Sequence, residues 1–260
     1  MKRSCLRLAL PLLLAGSIPA QLSAPRIGVV RYANHTVRVV YGVPSNFVIA
    51  DQMLDSADAI SFSNSGGLVA KDGKIQIFAS GQSTALSEYT SADSAPVLNL
   101  DGELTTAVAW LPASHVLLHW TGQSFAATNV IPGVITGAVS SLRLSGPDKV
   151  ELLATQSGGE VLKVSISLQT GNPISSDVLP GVQGPAFLQS NFVVFHDDQG
   201  LEIESANGLR HTLPMPAADL AAERMSNDWL HISSASTKQD WALHLSNTAL
   251  DLSALPGSAR

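Results

Sequence analysis

Short runs of alternating apolar and polar residues follow one another down this chain in groups of three or four, and the groups recur roughly every 35 to 45 residues. In "VLKVSISLQ", Leu162, Val164, Ile166 and Leu168 alternate with polar or small residues, and in "GLEIES" Leu201 and Ile203 alternate with Glu202 and Glu204. In "TVRVVYGVP" the β-branched residues cluster, with Val37, Val39 and Tyr41 on one face. A period of two with turn residues between the runs predicts half-buried strands of antiparallel sheets. Only "AADLAAERM", residues 217–225, can be read as a helical turn, and it is barely two turns long and follows two prolines.

The stretch "AISFSNSGGLVAKDGKIQIF" holds three strands joined at Ser-Gly-Gly and Lys-Asp-Gly, and "ALSEYT" adds a fourth. The next group runs from "TTAVAWLP" through "HVLLHW" to "SFAATNVIPG". A third is "SSLRLSG", "KVELLATQ", "EVLKVSIS" and "SSDVLPG"; a fourth is "PAFLQS", "FVVFHD", "GLEIES" and "LRHTLPM". "AAERMSND", "WLHISS", "DWALHLS" and "ALDLSALPG" make a fifth. The spacing is that of four-stranded propeller blades, so the expected fold is all-β, a β-propeller of five or six short four-stranded blades. The alternative is a tandem β-sandwich, which would use similar strands. Ahead of these groups, "RIGVVRY" turns at "ANHT" into "TVRVVYGVP", a hairpin over 26–43. A ring must close or expose sheet edges, which makes this hairpin a candidate closing clasp within a single domain over 21–260, either as a sixth blade or as a cover on an open edge.

The opening "GVVRYANHTVRVVYGVPSN" followed by "ADAISFSNSGGLVAKDGKIQIF" resembles bacterial exported β-propeller-like repeat proteins of the broad WD40, YVTN and quinoprotein-like group. That resemblance implies a fold and an exported location. It implies no reaction, because no Trp-Asp pair closes a blade, no sialidase-type Asp box is present, and "SLQTGNPI" is a single loose quinoprotein-like turn.

Lys2, Arg3 and Arg7 precede the apolar run "LALPLLLAG", and small or turn-forming residues follow it to Ala20. This is the layout of a secretory signal peptide over 1–20, with a core about half the length of a membrane span. The expected location is therefore exported, periplasmic or extracellular, with no membrane insertion after signal removal. Cys5, the only cysteine, leaves with that segment, so neither a disulfide framework nor a thiol nucleophile is expected in the mature chain. Removing the three basic residues of the signal from the 15 in the chain leaves 12 against 21 acidic residues, a net charge near −9. Nucleic acid and anionic membrane surfaces are poor partners for such a chain. An outer-membrane barrel is disfavoured as well, since aromatic residues are only 5% of the sequence, too few for two interfacial girdles.

Candidate chemistry is sparse. His115 and His119 have the spacing of a helical ligand pair, but in a strand they stand roughly 13 Å apart, beyond the reach of one zinc with bonds near 2 Å. His231 and His244 are the candidate metal pair: a hairpin looping at "ASTKQD" places them opposite each other beside Trp229, where Cβ atoms sit about 5 Å apart. A polar cross-strand pair is the alternative reading. His196, Asp197 and Asp198 in "FHDDQGLE" fit a tight hairpin turn better than an acid–base or calcium cluster. Glu103 and Glu223 fall at blade starts where they would line a central channel, a position suited to a carboxylate pair for glycoside or lactone hydrolysis. No Gly-x-Ser-x-Gly elbow, phosphate-binding loop or His-Glu-x-x-His helix occurs, and the sequence points to no cofactor. The expected function is non-catalytic binding of a protein, glycan or envelope component by loops on a propeller face, the competing class being a propeller hydrolase or lyase.

Overall fold

The computed structural model describes residues 24–100, 102–217 and 219–257; the signal segment and Cys5 lie outside them. Twenty-three strands form six separate antiparallel sheets in chain order. The first holds β1 (Arg26–Arg31), β2 (Val37–Val43) and β3 (Asn46–Leu54). The second holds β4 (Ala59–Phe62), β5 (Gly66–Lys71), β6 (Lys74–Ala79) and β7 (Ser87–Thr90). In the third are β8 (Val97–Leu100), β9 (Ala107–Leu111), β10 (Val116–Trp120) and β11 (Phe125–Asn129), and in the fourth β12 (Ala138–Gly146), β13 (Lys149–Thr155), β14 (Glu160–Ser167) and β15 (Pro173–Gln183). The fifth comprises β16 (Ala186–Gln189), β17 (Phe192–Asp197), β18 (Gly200–Ser205) and β19 (Arg210–Leu213). The sixth comprises β20 (Leu220–Arg224), β21 (Trp229–Ser234), β22 (Gln239–Leu245) and β23 (Leu250–Ala254). The arrangement is a six-bladed propeller with five four-stranded blades and a first blade of three.

Local chemistry places the turns. Between β5 and β6, Lys71 pairs with Lys74, and Asp72 and Gly73 have φ of 51° and 70°, the left-handed pair that a two-residue hairpin loop requires. Between β17 and β18, Asp197 Oδ1 accepts hydrogen bonds from the amides of Gln199 at 2.7 Å and Gly200 at 3.3 Å, so "FHDDQGLE" is a hairpin turn. At the β1–β2 turn, Asn34 Oδ1 accepts from the Thr36 amide at 3.1 Å and hydroxyl at 2.7 Å.

The core is divided into six apolar clusters, one between each pair of neighbouring blades. Leu68 and Ile77 of the second blade pack with Leu118 and Trp120 of the third; Val194 and Ile203 of the fifth pack with Ile232 and Leu243 of the sixth. Each blade is thus covered on both faces. This corrects the expectation of half-buried strands: every residue of β9 is buried, as are five of the seven in β13, because neighbours press on both sides of the sheet. Alternation survives at the outer strands, such as β7.

Two elements are only partly legible in the sequence. Residues 220–224, read both within the helical candidate and, through "AAERMSND", as the first strand of the fifth group, are strand β20, extended because Ala222 pairs with Ile232 across the ladder; no helix occurs among the described residues. β8 is the innermost strand of the third blade, yet its four residues, with Asn99 inside and Pro96 just before, carry too little pattern to announce a strand.

The ring joins its first and last blades without a shared sheet. The Val29 amide donates to the Met225 carbonyl at 3.2 Å, the Ser226 hydroxyl to the Ile27 carbonyl at 2.7 Å, and the Tyr32 hydroxyl to the Pro256 carbonyl at 3.2 Å. Burial, with Asp240 adding to it, pushes the Tyr32 phenol up to about 12, so it stays a neutral donor. Around these bonds Val30, Val40 and Phe47 pack on Met225, Trp229 and Leu255.

Candidate functional site: the central channel

The innermost strands β4, β8, β12, β16 and β20 surround a cavity of about 310 Å³, with Arg31 entering from the end of β1. β20 and β4 touch each other directly, so the first blade reaches the channel through that arginine. Arg31 Nε donates to both Glu223 oxygens at 2.9 and 3.2 Å, and Nη2 donates to Oε1 at 2.7 Å. The Ile60 amide lies 3.4 Å from the same Oε1. The side chains are 23% and 16% exposed, and such a bidentate pair holds both groups in one geometry. Three sheets, the first, second and sixth, meet at this carboxylate.

Other polar side chains of the innermost strands join blade to blade. Ser61 Oγ accepts from the Leu100 amide, and Ser141 Oγ from the Leu188 amide, each at 2.9 Å in buried surroundings. A register shift in β12 between Val139 and Ser141 lets consecutive hydroxyls face the next blade, a common use of a bulge; Ser140 Oγ donates to the Ala186 carbonyl at 2.6 Å. Gln189, 1% exposed, donates through Nε2 to the carbonyls of Ser226 at 3.1 Å and Asn227 at 2.8 Å. Its Oε1 and the Asn227 Oδ1 accept from no protein donor.

A smaller cavity of about 150 Å³ lies among Asn99, Arg143, Ser190 and Arg224. Arg143 donates to Glu151 Oε2 from Nε at 3.1 Å and Nη2 at 2.9 Å, and to the Ser190 carbonyl at 2.5 Å. Burial acts to raise the Glu151 carboxyl, but Arg143 and Lys149 outweigh it and hold it below its ordinary value. Arg224 Nη1 donates to the Leu100 carbonyl at 2.8 Å.

The residues singled out from sequence fall in several places. Glu223 is in the channel wall, but Glu103 is exposed in the segment between β8 and β9 and does not line the cavity, so the two are not brought together. Instead Glu223 is engaged by Arg31. The β21–β22 hairpin is tighter than expected: Trp229 pairs with His244, His231 with Ala242, and Ser234 with Gln239. The loop is therefore 235–238, with Lys238 at a φ of 55°, and the register slides by two residues, which moves His231 and His244 from opposed to diagonal positions. The His231 ring, 2% exposed, lies with Nε2 2.8 Å from Asp240 Oδ1, while the His244 ring stacks on Trp229 at 4.6 Å between centroids. Among the described residues no three His, Cys, Asp or Glu side chains group as metal ligands. His115 is in the turn before β10 and His119 is inside that strand, where burial pushes the His119 imidazole down.

Arg31, Gln189 and the paired serines of β12 were not singled out by sequence reasoning. Arg31 had a signal, a lone cation ending the apolar run "IGVVR"; Gln189 and the serines look like ordinary solvated residues until their neighbours are known.

No protein-family profile matches the sequence, and no curated protein is similar to it in sequence. Solved structures are similar in shape. The structure of a nidogen/laminin complex matches at 11% identity over 88% of this chain and 92% of that one, with a TM-score of 0.59. The β-propeller domain of Myceliophteria thermophila Cps50 (Swd1) matches at 10% identity over 90% of each chain, with a TM-score of 0.49. BamB from Moraxella catarrhalis matches at 10% identity over 91% and 92%, with a TM-score of 0.41. Likeness at such identity is one of fold, and the six sheets and six inter-blade cores are those of a β-propeller.

Proposed function

We propose that the protein is an exported, non-catalytic binding propeller, which engages a protein, glycan or cell-envelope component through its surface loops and clefts. The observation that carries this reading is the state of the channel. Two carboxylates line it: Glu223 accepts three guanidinium hydrogen bonds, and Asp58 is exposed; the serine hydroxyls of β4 and β12 are committed to neighbouring blades. A general acid or base must be free to reach a substrate proton, whereas Glu223 and these hydroxyls serve as ties in a rigid frame, which leaves Asp58 without a second free carboxylate in the lining to complete an acid–base pair. Rigid frames with variable loops are what binding sites are grafted on. The layout of residues 1–20 supports export.

The test is retention together with turnover. Purified protein immobilised on a resin should retain a component of envelope extract or an arrayed glycan saturably, with free protein competing. Hydrolysis of chromogenic esters or glycosides that disappears in a folded Glu223→Gln variant would overturn the reading in favour of a channel enzyme.

A further inference from the structure

The second blade carries a cross-strand row in which Phe62 of β4 pairs with Gly67 of β5, and Gly67 with Phe78 of β6. The middle member has no side chain and admits none, because a Cβ there would press into the Phe62 ring. Phe62 and Val69 are buried and Phe78 is half-buried, and the three belong to the core shared with the first blade. From that blade Val39 and Leu54, both half-buried, and Met53, 44% exposed, complete the apolar walls. Between the two blades lies a cleft of about 400 Å³, within the range of pockets that take small molecules.

The polar side chains of the lining are Ser80, Gln82 and Ser83, from the loop between β6 and β7, and Arg26 at the start of β1. All four residues are exposed. Among the described residues Arg26 is the only charged one in the lining, and it makes no ion pair. Acidic residues outnumber basic ones 21 to 15 in this chain, yet none of them lines the cleft or takes that guanidinium. A guanidinium presents paired donors in a fixed fork that fits a carboxylate bidentately. The cleft thus joins apolar walls to one open cation.

We propose that this cleft binds a small amphipathic carboxylate, an aliphatic or aromatic body ending in one carboxylate group. The body is buried against Phe62, Phe78 and Leu54, and the carboxylate accepts hydrogen bonds from the Arg26 guanidinium. An uncharged analogue keeps the apolar contacts and forfeits the charge-assisted bonds, whereas a bare inorganic anion gains nothing from the walls. The site shares no lining residue with the central cavity. It goes beyond the binding reading above and stands independently of it.

The test is isothermal titration of the purified protein with decanoate and with 3-phenylpropanoate, each beside its primary amide. At least one acid should bind saturably, about tenfold more tightly than its amide, the difference expected of a hydrogen-bonded charge pair. The backbone amides of Gly66 and Gly67 should shift in proton–nitrogen NMR spectra as it binds. Arg26→Gln should abolish the preference for acid over amide. Met53→Gln should weaken both forms about fourfold, the worth of one buried methylene group. Both substitutions are on exposed side chains, and unchanged circular dichroism would show that the fold survives. Tighter binding of decanoate names an acyl ligand and tighter binding of 3-phenylpropanoate an aromatic one; either order supports the site. Failure of both acids to bind would overturn it, whatever the retention assay shows. So would a preference for acid that survives Arg26→Gln, or spectral shifts confined to other blades. A dimer by light scattering that Met53→Gln dissociates would assign the cleft to a second copy, again overturning the proposal.

Discussion

Replacing Arg31 by methionine tests whether the channel pair clasps the ring. The substitution removes three guanidinium contacts of 2.7 to 3.2 Å and leaves the Glu223 carboxylate, 16% exposed, with only the Ile60 amide at 3.4 Å. Stranding one member of a buried ion pair costs about 3–5 kcal/mol. Solvent reaches both side chains here, which discounts the loss to about 2–3 kcal/mol. In a domain of this size each kcal/mol moves the midpoint by about 2–4 °C, so Arg31→Met should melt about 4–12 °C below wild type. The double variant Arg31→Met with Glu223→Met strands no charge and should recover much of that, ending within about 1 kcal/mol of wild type. Urea denaturation of all four members of the cycle gives the coupling energy, and hydrogen exchange should show the loss of protection concentrated in β1–β3. An Arg31→Met midpoint indistinguishable from wild type, or a double variant no more stable than the single, would refute the argument.

Three further outcomes follow from the same contacts. Gly28→Ala places a Cβ 2.6 Å from the Met225 carbonyl oxygen at the junction of first and last blades; overpacking of that kind should cost about 1–3 kcal/mol by chemical denaturation. Ser61→Ala and Ser141→Ala each leave a buried amide, of Leu100 and Leu188, without its acceptor, and each should lose about 1–3 kcal/mol, while Ser→Thr at either position should lose less if the hydroxyl is what matters. Asp219 accepts from the Ser234 and Ser236 hydroxyls and the Ser236 amide, which hold its carboxyl below the ordinary 3.8, at about 2. A depressed carboxyl stabilises the fold fully above its unfolded value and loses that contribution as pH falls through the folded one. Thermal midpoints of wild type should therefore drop between about pH 4 and pH 2, and those of Asp219→Asn should drop less over the same window.

The strands and their grouping were determined by the sequence alone, because period-two patterning and turn chemistry act over a few residues. "KDGK" specifies its turn wherever it sits, and "AISF" through "SEYT" could be grouped into a blade without knowing its neighbours. Where the pattern thins the local signal fails: β8 is too short at four residues to be announced, and β20, which reads both as a helical turn and as the first strand of its group, has no alternation of its own in "LAAER" and is held extended by β21. The two-residue slip that separated His231 from His244 was likewise invisible, since either loop length keeps Leu230 and Ile232 facing apolar partners. What only the tertiary structure decided is which side chains from distant parts of the chain meet. Arg31 and Glu223 are 192 residues apart, and no local signal joins them; they become partners because the ring brings its first blade against its last. The same closure sets β20 directly against β4, because the first blade supplies no innermost strand to the ring, and a sequence that reads there only as another hairpin does not announce that gap.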